Sequence, residues 1–425
     1  MTRRQFLARA AAFGAGFWLV PPAWSNRTLA PRIVVIGGGW GGLTAARYLH
    51  EVLPHAAITL LDRHARFWSC PLSNHWLVGR LDGALLSHDY RAAAHHWSYR
   101  FVQDEVVAID RSQRQVVTPG ERFPYDWLVL AAGIRHDYAA WFGDDHETAA
   151  YARQHFPAAY TPGPEFPQLR DKLQAFAGGD LLMTIPPQPL RCPPAPYERA
   201  VMIASWLEQR QVPGRLVILD ANPPFQAFQR AFQEAFPKRI VYHAQTRIVR
   251  VDPRQRVVES EFDQFSFADA ILMPPQQAAE LAWQADLIGR NANDQPTGWA
   301  AVEPLSFAAQ QDERIFIVGD MIDRVSALFG HYPKSGQMAS RQGRIVAYQI
   351  AARAAGTVPP QALPDSICHL TTQVDPPAAL RIAASYRLRG DGEIVQQMKS
   401  ERDPQPRGED LAWAQGMFRE FLAPQ

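Results

Sequence analysis

Apolar and polar residues alternate along the chain in blocks typical of a parallel α/β protein. Nearly continuous apolar runs predict strands buried on both faces, and they lie at 32–36, 57–61, 125–133, 181–185, 215–220 and 314–318. Helical periodicity follows the first of these runs, at 43–53, and the fourth, at 199–209. This order predicts the α/β class, with two Rossmann-like dinucleotide-binding domains and a small C-terminal α+β region.

A glycine-rich turn joins the first predicted strand to its helix. Gly37, Gly39 and Gly42 form a GxGxxG motif between strand and helix, as a dinucleotide site requires. The first glycine permits a tight turn, the second lets the backbone approach a pyrophosphate, and the third lets helix and strand pack closely. Asp62 ends the next strand, 62 − 42 = 20 residues after Gly42, where an acid binds a ribose hydroxyl. These four residues predict a nucleotide site.

Two later segments indicate that the nucleotide is FAD. One predicted strand ends at Ala132 and Gly133, and another ends at Gly319 and Asp320. Each segment alone would fit an ordinary core strand. In this order after the GxGxxG turn, they resemble the other FAD signatures of the two-dinucleotide-binding-domain flavoproteins, the group that contains glutathione reductase. The resemblance implies that Asp320 holds the ribityl chain of FAD.

The second predicted nucleotide domain lacks the features that hold a nucleotide. Its first strand, 181–185, is followed by the segment 186–198, which is rich in proline and contains no glycine. Prolines lack the backbone N–H groups that bind phosphate. We therefore expect no NAD(P)H site in this domain and a different partner for electron transfer.

The N-terminal segment has the pattern of an export signal. Arg3 and Arg4 precede the apolar run 10–20, and small residues follow near Ser25. This arrangement predicts a Tat signal and leader over residues 1–30, and hence a folded protein exported to the periplasm. A membrane anchor or a disordered start is the alternative, although the apolar run is short for a bilayer.

Composition excludes several classes of function. Lys and Arg total 43 and Asp and Glu total 42, so the charge gives no indication of nucleic acid binding. No stretch of 18 apolar residues occurs after residue 30, which predicts no transmembrane segment. Three cysteines are too few for a four-thiolate metal site, and we predict no metal. The CxxCH motif is absent, so the chain attaches no haem of its own.

The surroundings of the cysteines are the most specific feature of the sequence. Four stretches carry it: 68–74 around Cys70, 191–199 around Cys192, 366–369 around Cys368, and 333–339 around Lys334. Together they resemble the flavoprotein subunit of flavocytochrome c sulfide dehydrogenase. The resemblance extends from about residue 32 to near the C-terminus. It departs at His369, where the family leads us to expect an aromatic residue such as Tyr.

The resemblance implies a role for each of five residues. Cys70 would attach FAD covalently through a thioether to the flavin 8-methyl carbon. Cys192 and Cys368 would form a redox-active disulfide on the flavin face. Glu198 would act as acid and base beside this disulfide, and Lys334 would place positive charge near N1 and O2 of the flavin.

Each role has a simpler alternative. The two later cysteines could form an inert disulfide and Cys70 a buried thiol. The helix dipole alone favours an acid such as Glu198 in a first helical turn. Lys334 could be an exposed lysine at a helix start. The amphipathic tail 411–422 could pack on the body of the protein or contact a partner.

The resemblance also implies the reaction. A periplasmic flavoprotein would oxidise hydrogen sulfide to zero-valent sulfur or polysulfide, and would pass electrons to a separate cytochrome c subunit that carries the haem. The alternatives are a sulfide:quinone oxidoreductase, an NADH-dependent reductase, and an accessory flavoprotein that stimulates a sulfur-oxidising complex without turning over sulfide itself.

The predicted domains follow the order of these motifs. They are the signal and leader (1–30), the first part of the FAD domain (31–150), the second Rossmann-like domain (151–281), the second part of the FAD domain (282–350), a linker (353–364) and the C-terminal flavin-face region (365–425).

Overall fold

A computed structural model of the chain describes residues 30–424. The residues from Pro31 onward pack as one compact unit. The predicted export signal lies outside the described residues. None of the helices in the described range is both long enough and apolar enough to cross a membrane.

The described part of the chain contains eleven α-helices, which connect and cover the sheets. They are α1 (Trp40–Val52), α2 (Ser73–Leu77), α3 (Tyr90–His96), α4 (Ala139–Phe142), α5 (His146–His155), α6 (Glu165–Ala175), α7 (Ala195–Gln209), α8 (Gln226–Ala235), α9 (Glu280–Gln284), α10 (Gly336–Ala354) and α11 (Glu409–Phe421).

The same residues form twenty-five short strands. They are β1 (Arg32–Ile36), β2 (Ala57–Asp62), β3 (Arg66–Trp68), β4 (Ser87–Asp89), β5 (Arg100–Gln103), β6 (Ala108–Asp110), β7 (Gln115–Val117), β8 (Arg122–Pro124), β9 (Trp127–Leu130), β10 (Ile134–His136), β11 (Gly179–Ile185), β12 (Gly214–Asp220), β13 (Ile240–His243), β14 (Ile248–Asp252), β15 (Val257–Ser260), β16 (Gln264–Ser266), β17 (Asp269–Ile271), β18 (Gln276–Ala278), β19 (Ile288–Arg290), β20 (Pro296–Ala300), β21 (Ala308–Ala309), β22 (Asp312–Ile317), β23 (Ser366–Gln373), β24 (Ala378–Leu388) and β25 (Ile394–Asp403).

The largest sheet has six strands in the order β21-β22-β9-β1-β2-β5, and its strands are parallel except at the β21–β22 edge. Strand β22, near residue 315, therefore lies in the same sheet as β1 and β2 from the beginning of the chain and pairs with β9. Ile33 and Val35 in β1 are fully buried, as the apolar run predicts. Helix α1 packs closely on α10 where two glycines meet. A Cβ at Gly343 would lie only 2.3 Å from the carbonyl oxygen of Gly41, so the two backbones could not approach this closely with a larger residue there.

The second sheet is smaller and also parallel. It contains β13, β12, β11 and β17 in that order. Helix α7 connects β11 to β12, and most of its residues are buried. The chain thus contains two doubly wound α/β sheets of the Rossmann type, which confirms the fold class predicted from the apolar runs.

The C-terminal segment adds an antiparallel sheet and a final helix. Strands β23, β24 and β25 form the sheet, and residues 389–393 make the hairpin turn between its last two strands. Helix α11 buries Met417, Phe418 and Phe421. The rings of Phe418 and Phe421 lie against Trp40 of α1. The tail therefore packs on the body of the protein.

Candidate active site

The turn after β1 has the geometry that its glycines predict. Gly37 adopts a φ of +97°, and a Cβ there would lie 2.5 Å from the carbonyl oxygen of Ala131. A Cβ at Gly42 would lie 1.8 Å from the carbonyl oxygen of Gly37. Both positions therefore require glycine, because any side chain would collide with backbone.

Space for a pyrophosphate lies beside the start of α1. A Cβ at Gly39 would meet no atom within 4 Å, and the helix begins at the next residue. At the same turn Asp62 accepts hydrogen bonds from the N–H groups of Gly38 (2.7 Å) and His64 (2.8 Å). An open glycine at a helix N-terminus, with an acid fixed beside it, fits the phosphates and ribose of a dinucleotide.

The other two predicted FAD segments lie at the same end of the six-stranded sheet, where the parallel strands β1, β9 and β22 finish. Ala132 and Gly133 follow β9, and the Cα of Ala132 lies 3.2 Å from the Cβ position of Gly37. Gly319 and Asp320 begin a short 3₁₀ helix after β22. The side chain of Asp320 is buried, yet its Oδ1 has no hydrogen-bond partner among the described residues. Because a buried acceptor is costly to leave unpaired, this oxygen fits a hydroxyl of the FAD ribityl chain.

The five residues assigned roles by resemblance lie around one small cavity. Its volume is about 70 Å³. It is lined by residues from segments that are far apart in the chain, among them Cys70, Cys192, Glu198, Lys334 and Cys368. The fold thus brings together every residue that the sequence selects for chemistry at the flavin.

Two of the cysteines are direct neighbours. The thiol of Cys192 hydrogen-bonds to the sulfur of Cys368, and this contact together with burial raises the pKa of Cys192 well above its ordinary value. Both residues are free thiols in this structure. The backbone of Cys192 has a φ of +45°, and its N–H donates to the carbonyl oxygen of Lys334 at 2.6 Å. The pair has the arrangement of a reduced dithiol.

Cys70 occupies a different part of the cavity, between β3 and α2. Burial raises the pKa of its thiol, and the guanidinium of Arg191 opposes that effect through its charge and a hydrogen bond. Arg191 also forms an ion pair with Asp320, with Nε 3.1 Å from Oδ2. Arg191 therefore connects the predicted flavin-attachment cysteine to the predicted ribityl-binding acid.

Glu198 lies buried in the first turn of α7. Its Oε1 accepts a hydrogen bond from the N–H of Thr371 (2.9 Å), and its Oε2 accepts one from Nδ2 of Asn74 (2.8 Å). Burial raises the pKa of Glu198, and the nearby His75 partly opposes the increase. A raised pKa favours the protonated form of a buried carboxyl, and such a group can give and take a proton inside the cavity.

Lys334 is buried, so the alternative of an exposed helix-start lysine is wrong. Its Nζ donates to the carbonyl oxygens of Asp320 (2.8 Å) and Ile322 (2.7 Å), and it lies 3.6 Å from the ring centre of Trp299. Burial lowers the pKa of Lys334 to about 7. Burial thus disfavours the ammonium form, and a negative charge bound in the cavity would favour it again.

Several residues around the cavity were not selected from the sequence. Arg191 adjoins Cys192, and Asn74 lies four residues after Cys70, so both stand inside stretches that carried the resemblance. Arg199 is almost fully buried and donates to Oδ1 of Asn74 at 3.1 Å. Proximity to a cysteine in the sequence is the one signal that could have identified them.

In the second sheet, the acid at the corresponding strand end has different surroundings. Strand β12 ends at Asp220, as β2 ends at Asp62. The carboxylate of Asp220 is fully buried and accepts hydrogen bonds from the hydroxyls of Tyr197 and Tyr242, both at 2.7 Å. Its other oxygen accepts from the N–H of Asn222 at 2.9 Å. Asp62 also bonds to backbone N–H groups but is partly exposed beside its open glycine turn, whereas Asp220 is fully buried and has two tyrosine hydroxyls on one oxygen.

Metal binding receives no support from the described residues. Between residues 30 and 424, no group of three His, Cys, Asp or Glu side chains is arranged to hold a metal ion.

Comparison with known protein families identifies two regions. Residues 167–275 match the central region of the sulfide dehydrogenase [flavocytochrome c] flavoprotein chain. Residues 31–155 match the pyridine nucleotide-disulphide oxidoreductase family.

Three curated relatives show similar sequences. The flavoprotein chain of sulfide dehydrogenase [flavocytochrome c] from Chlorobaculum thiosulfatiphilum is 44% identical over 43 residues, which cover 10% of this chain and 90% of that sequence. Sulfide-quinone reductase from Aquifex aeolicus is 23% identical over 343 residues, 76% of each chain. Type II NADH:quinone oxidoreductase from Haemophilus influenzae is 32% identical over 118 residues, 24% of this chain and only 27% of that relative.

Among solved structures, the Aquifex aeolicus sulfide:quinone oxidoreductase has a similar fold. The two structures superpose with a TM-score of 0.71 at 20% sequence identity, and the match covers 93% of each chain.

Proposed function

The chain belongs to the family of flavocytochrome c sulfide dehydrogenase flavoprotein chains, and from this premise and its paired thiols we propose that it oxidises hydrogen sulfide to zero-valent sulfur. It is a flavoprotein oxidoreductase of the group that also includes sulfide:quinone oxidoreductases. The single observation that carries the proposal is the contact between Cys192 and Cys368 in a cavity that also contains the buried Glu198.

FAD would be held by groups already described. The turn of Gly37, Gly39 and Gly42 would receive the pyrophosphate, and the unpaired Oδ1 of Asp320 would accept a ribityl hydroxyl. Cys70 would attach the flavin covalently. When bound, FAD supplies an acceptor for two electrons that can be released one at a time.

The residues of the chain would then act on sulfide in two steps. In the oxidised enzyme Cys192 and Cys368 would be joined by a disulfide. Glu198 would take a proton from hydrogen sulfide, and the resulting hydrosulfide would attack one sulfur of the pair. A new S–S bond would form as the disulfide breaks, which leaves a persulfide on one cysteine and a thiolate on the other.

We propose that the electrons leave to a separate cytochrome c subunit in the periplasm. Support comes from the sequence, which has an N-terminal twin arginine and lacks a CxxCH motif. It also comes from the engagement of Asp220 with two tyrosine hydroxyls, which leaves the second sheet without an acid for NAD(P)H ribose.

A second candidate is reduction of quinone in place of cytochrome c. It is favoured by the similarity over 76% of the chain to a sulfide-quinone reductase. An accessory role without sulfide turnover is the third candidate. Assays of the purified protein with sulfide and either cytochrome c or a soluble quinone separate these possibilities, because each candidate predicts a different reduced acceptor or none.

The central test is substitution of the paired cysteines. Cys192→Ser and Cys368→Ser should each abolish sulfide-dependent cytochrome c reduction while bound flavin is retained, because attack requires a disulfide. Val358→Ser, at a position that is 92% exposed, is the matched control and should keep full activity. Near-normal turnover in either cysteine variant would contradict the mechanism.

A further inference from the structure

The carboxyl group of Glu198 needs a route to solvent if it is to exchange protons repeatedly. The residue is only 7% exposed and lines the small cavity. In the proposed function Glu198 takes a proton from hydrogen sulfide, and it must lose this proton before the next molecule of sulfide reacts. The polar groups around its two oxygens therefore decide where the proton can go.

On the side of Oε2, the neighbouring groups cannot accept a proton. Nδ2 of Asn74 donates to this oxygen at 2.8 Å, and Nε of Arg199 donates to Oδ1 of the same amide at 3.1 Å. The arginine thus fixes the orientation of the amide, which presents its N–H group to Glu198. An amide nitrogen accepts no hydrogen bond, and a guanidinium remains protonated in proteins. This side of the carboxyl is closed to proton transfer.

On the side of Oε1, polar groups lead away from the cavity. Oε1 accepts a hydrogen bond from the N–H of Thr371 in β23 at 2.9 Å. The hydroxyl of Thr371 lies 3.4 Å from Nε2 of His75 in α2, and the same nitrogen lies 3.4 Å from Oδ2 of Asp410 in α11. The side chains of His75 and Asp410 are 18% and 27% exposed. Exposure to solvent therefore increases from Glu198 to Asp410.

The two acids at the start of α11 have different partners. Asp410 lies beside His75, whereas Oε2 of Glu409 accepts a hydrogen bond from the N–H of Arg407 at 2.7 Å. The helix dipole favours acids at both positions. It does not account for the placement of Asp410 against a histidine that also contacts Thr371.

Other charged or titratable groups surround this path and set its local charge. Near Glu198 and Asp410 they are Cys192, Arg199, His369, Arg381 and Glu409.

We propose that His75 and Asp410 form a proton relay that carries the proton of Glu198 to solvent, with the hydroxyl of Thr371 between Glu198 and His75. His75 and Asp410 are positioning residues in this relay, because they act through Glu198 and do not contact sulfide. The inference rests on the proposed function, which supplies the proton that Glu198 must release.

The transfer is balanced in protons and moves no electrons. Oxidation of hydrogen sulfide to zero-valent sulfur yields two electrons and two protons. The acceptor of the electrons can retain one proton, and the other must reach solvent. In the relay the O–H bond of Glu198 breaks as an N–H bond forms at Nε2 of His75, by way of the Thr371 hydroxyl. The imidazolium then passes the proton to Asp410 and water, which leaves Glu198 as a carboxylate and His75 neutral.

The experiment follows proton release and flavin reduction in the same reaction. The flavin-containing protein is mixed with sulfide under anaerobic conditions, in weakly buffered solution at a mildly acid pH where sulfide is mainly the neutral acid. Stopped-flow absorbance records the flavin, and a pH-indicator dye records the proton that appears in solution. In the unmodified protein the two signals should have the same rate.

Variants of the relay should separate these two signals. In His75→Gln the flavin should still be reduced, but proton release should lag it roughly tenfold, because the carboxyl has lost its proton acceptor. Asp410→Asn should produce a smaller lag. Glu409→Gln, in the same helical turn, and His95→Gln, at an exposed histidine of α3, are the matched controls and should show no lag.

A pH profile provides a second measurement that a purely structural role of His75 would not change. The charge of His75 opposes the effect of burial on the pKa of Glu198. His75→Gln should therefore raise the pH below which flavin reduction becomes slow, because more of Glu198 is then already protonated.

The outcomes distinguish the relay from the proposed function. If His75→Gln keeps both signals together and leaves the pH profile unchanged, the relay is wrong and the proposed function stands. Equal lags in Asp410→Asn and Glu409→Gln would also overturn the relay, because the effect would then belong to the helix terminus. If sulfide fails to reduce the flavin of the unmodified protein, the proposed function is wrong, and the relay with it.

Discussion

Cys70 differs from the other two cysteines because its polar neighbour is a guanidinium and not a second sulfur. The positive charge of Arg191 stabilises a thiolate at Cys70 against the cost of burial. The same guanidinium holds one oxygen of Asp320, whose other oxygen is unpaired. This arrangement is consistent with a cysteine that forms a bond to a flavin held by the neighbouring acid.

The first prediction concerns this bond. Acid precipitation of the unmodified protein should leave FAD attached to the polypeptide, and the same treatment of Cys70→Ala should release it. The absorption spectrum of the precipitate and the supernatant measures the result. Complete release of flavin from the unmodified protein would show that Cys70 forms no covalent link.

The second prediction concerns Lys334, whose pKa burial lowers from 10.5 to about 7. Folding therefore releases its proton when the pH lies between these two values. The buried position costs stability below about pH 7, and this cost is relieved as the pH rises toward 10.5. Relative to Lys334→Met, the unmodified protein should gain thermal stability between pH 7 and pH 10.

Thermal unfolding of both proteins across this pH range measures the effect. Lys399→Met is the matched control, because Lys399 is 71% exposed and should show no such dependence. Parallel stability curves for the unmodified protein and Lys334→Met would mean that Lys334 keeps an ordinary pKa in the folded state.

At the scale of elements, helix α11 closes the cavity region from one side. Trp413 lines the small cavity, and its ring stacks on Trp40 with centres 6.2 Å apart. The ring of His369, at the position where an aromatic residue was expected, lies 6.1 Å from that of Trp413. Glu420 fixes the helix through the hydroxyl of Tyr48 at 2.9 Å. The C-terminal helix is therefore part of the site's wall.

The third prediction tests this packing. Phe421 is fully buried, so Phe421→Ala should lower the free energy of unfolding by about 3–5 kcal/mol. Phe262→Ala removes a ring that is 91% exposed, and it should change stability by less than about 0.5 kcal/mol. Urea denaturation of the two variants provides the comparison, and equal midpoints would show that α11 contributes little to the core.

At the scale of the whole molecule, the two sheets serve different purposes. The six-stranded sheet carries the open glycine turn and the unpaired carboxylate oxygen that fit FAD. The four-stranded sheet has its equivalent acid, Asp220, bonded internally, and it contributes the loop that holds Cys192. The features that fit a nucleotide thus lie on one sheet, and the other sheet contributes one member of the cysteine pair.

The fourth prediction follows from this division. Anaerobic mixing with NADH or NADPH should not reduce the flavin, whereas sulfide should reduce it and a haem protein should co-purify with the chain. Stopped-flow spectra measure flavin reduction, and dithionite serves as the positive control. Rapid flavin reduction by NADH would contradict both the proposed lack of an NAD(P)H site in the second sheet and the proposed cytochrome partner.

The sequence alone determined the features that depend on short segments. The GxGxxG turn, Asp62 and the strand ends at Gly133 and Gly319 are local patterns, because each can be read from a few consecutive residues and their spacing. The fold class followed from the same runs. The contexts of the cysteines indicated the family through their immediate neighbours.

Only the tertiary structure decided how these segments meet. Several features join parts of the chain that are distant in sequence. One is the contact of Cys192 with Cys368, and another is the link from Cys70 through Arg191 to Asp320. The cavity of about 1200 Å³ beside the cysteine pair is likewise formed by separate segments. Such contacts depend on how α7, β23 and the start of α10 pack around one space. Local propensity does not encode this packing, because it arises from the burial of all these elements together.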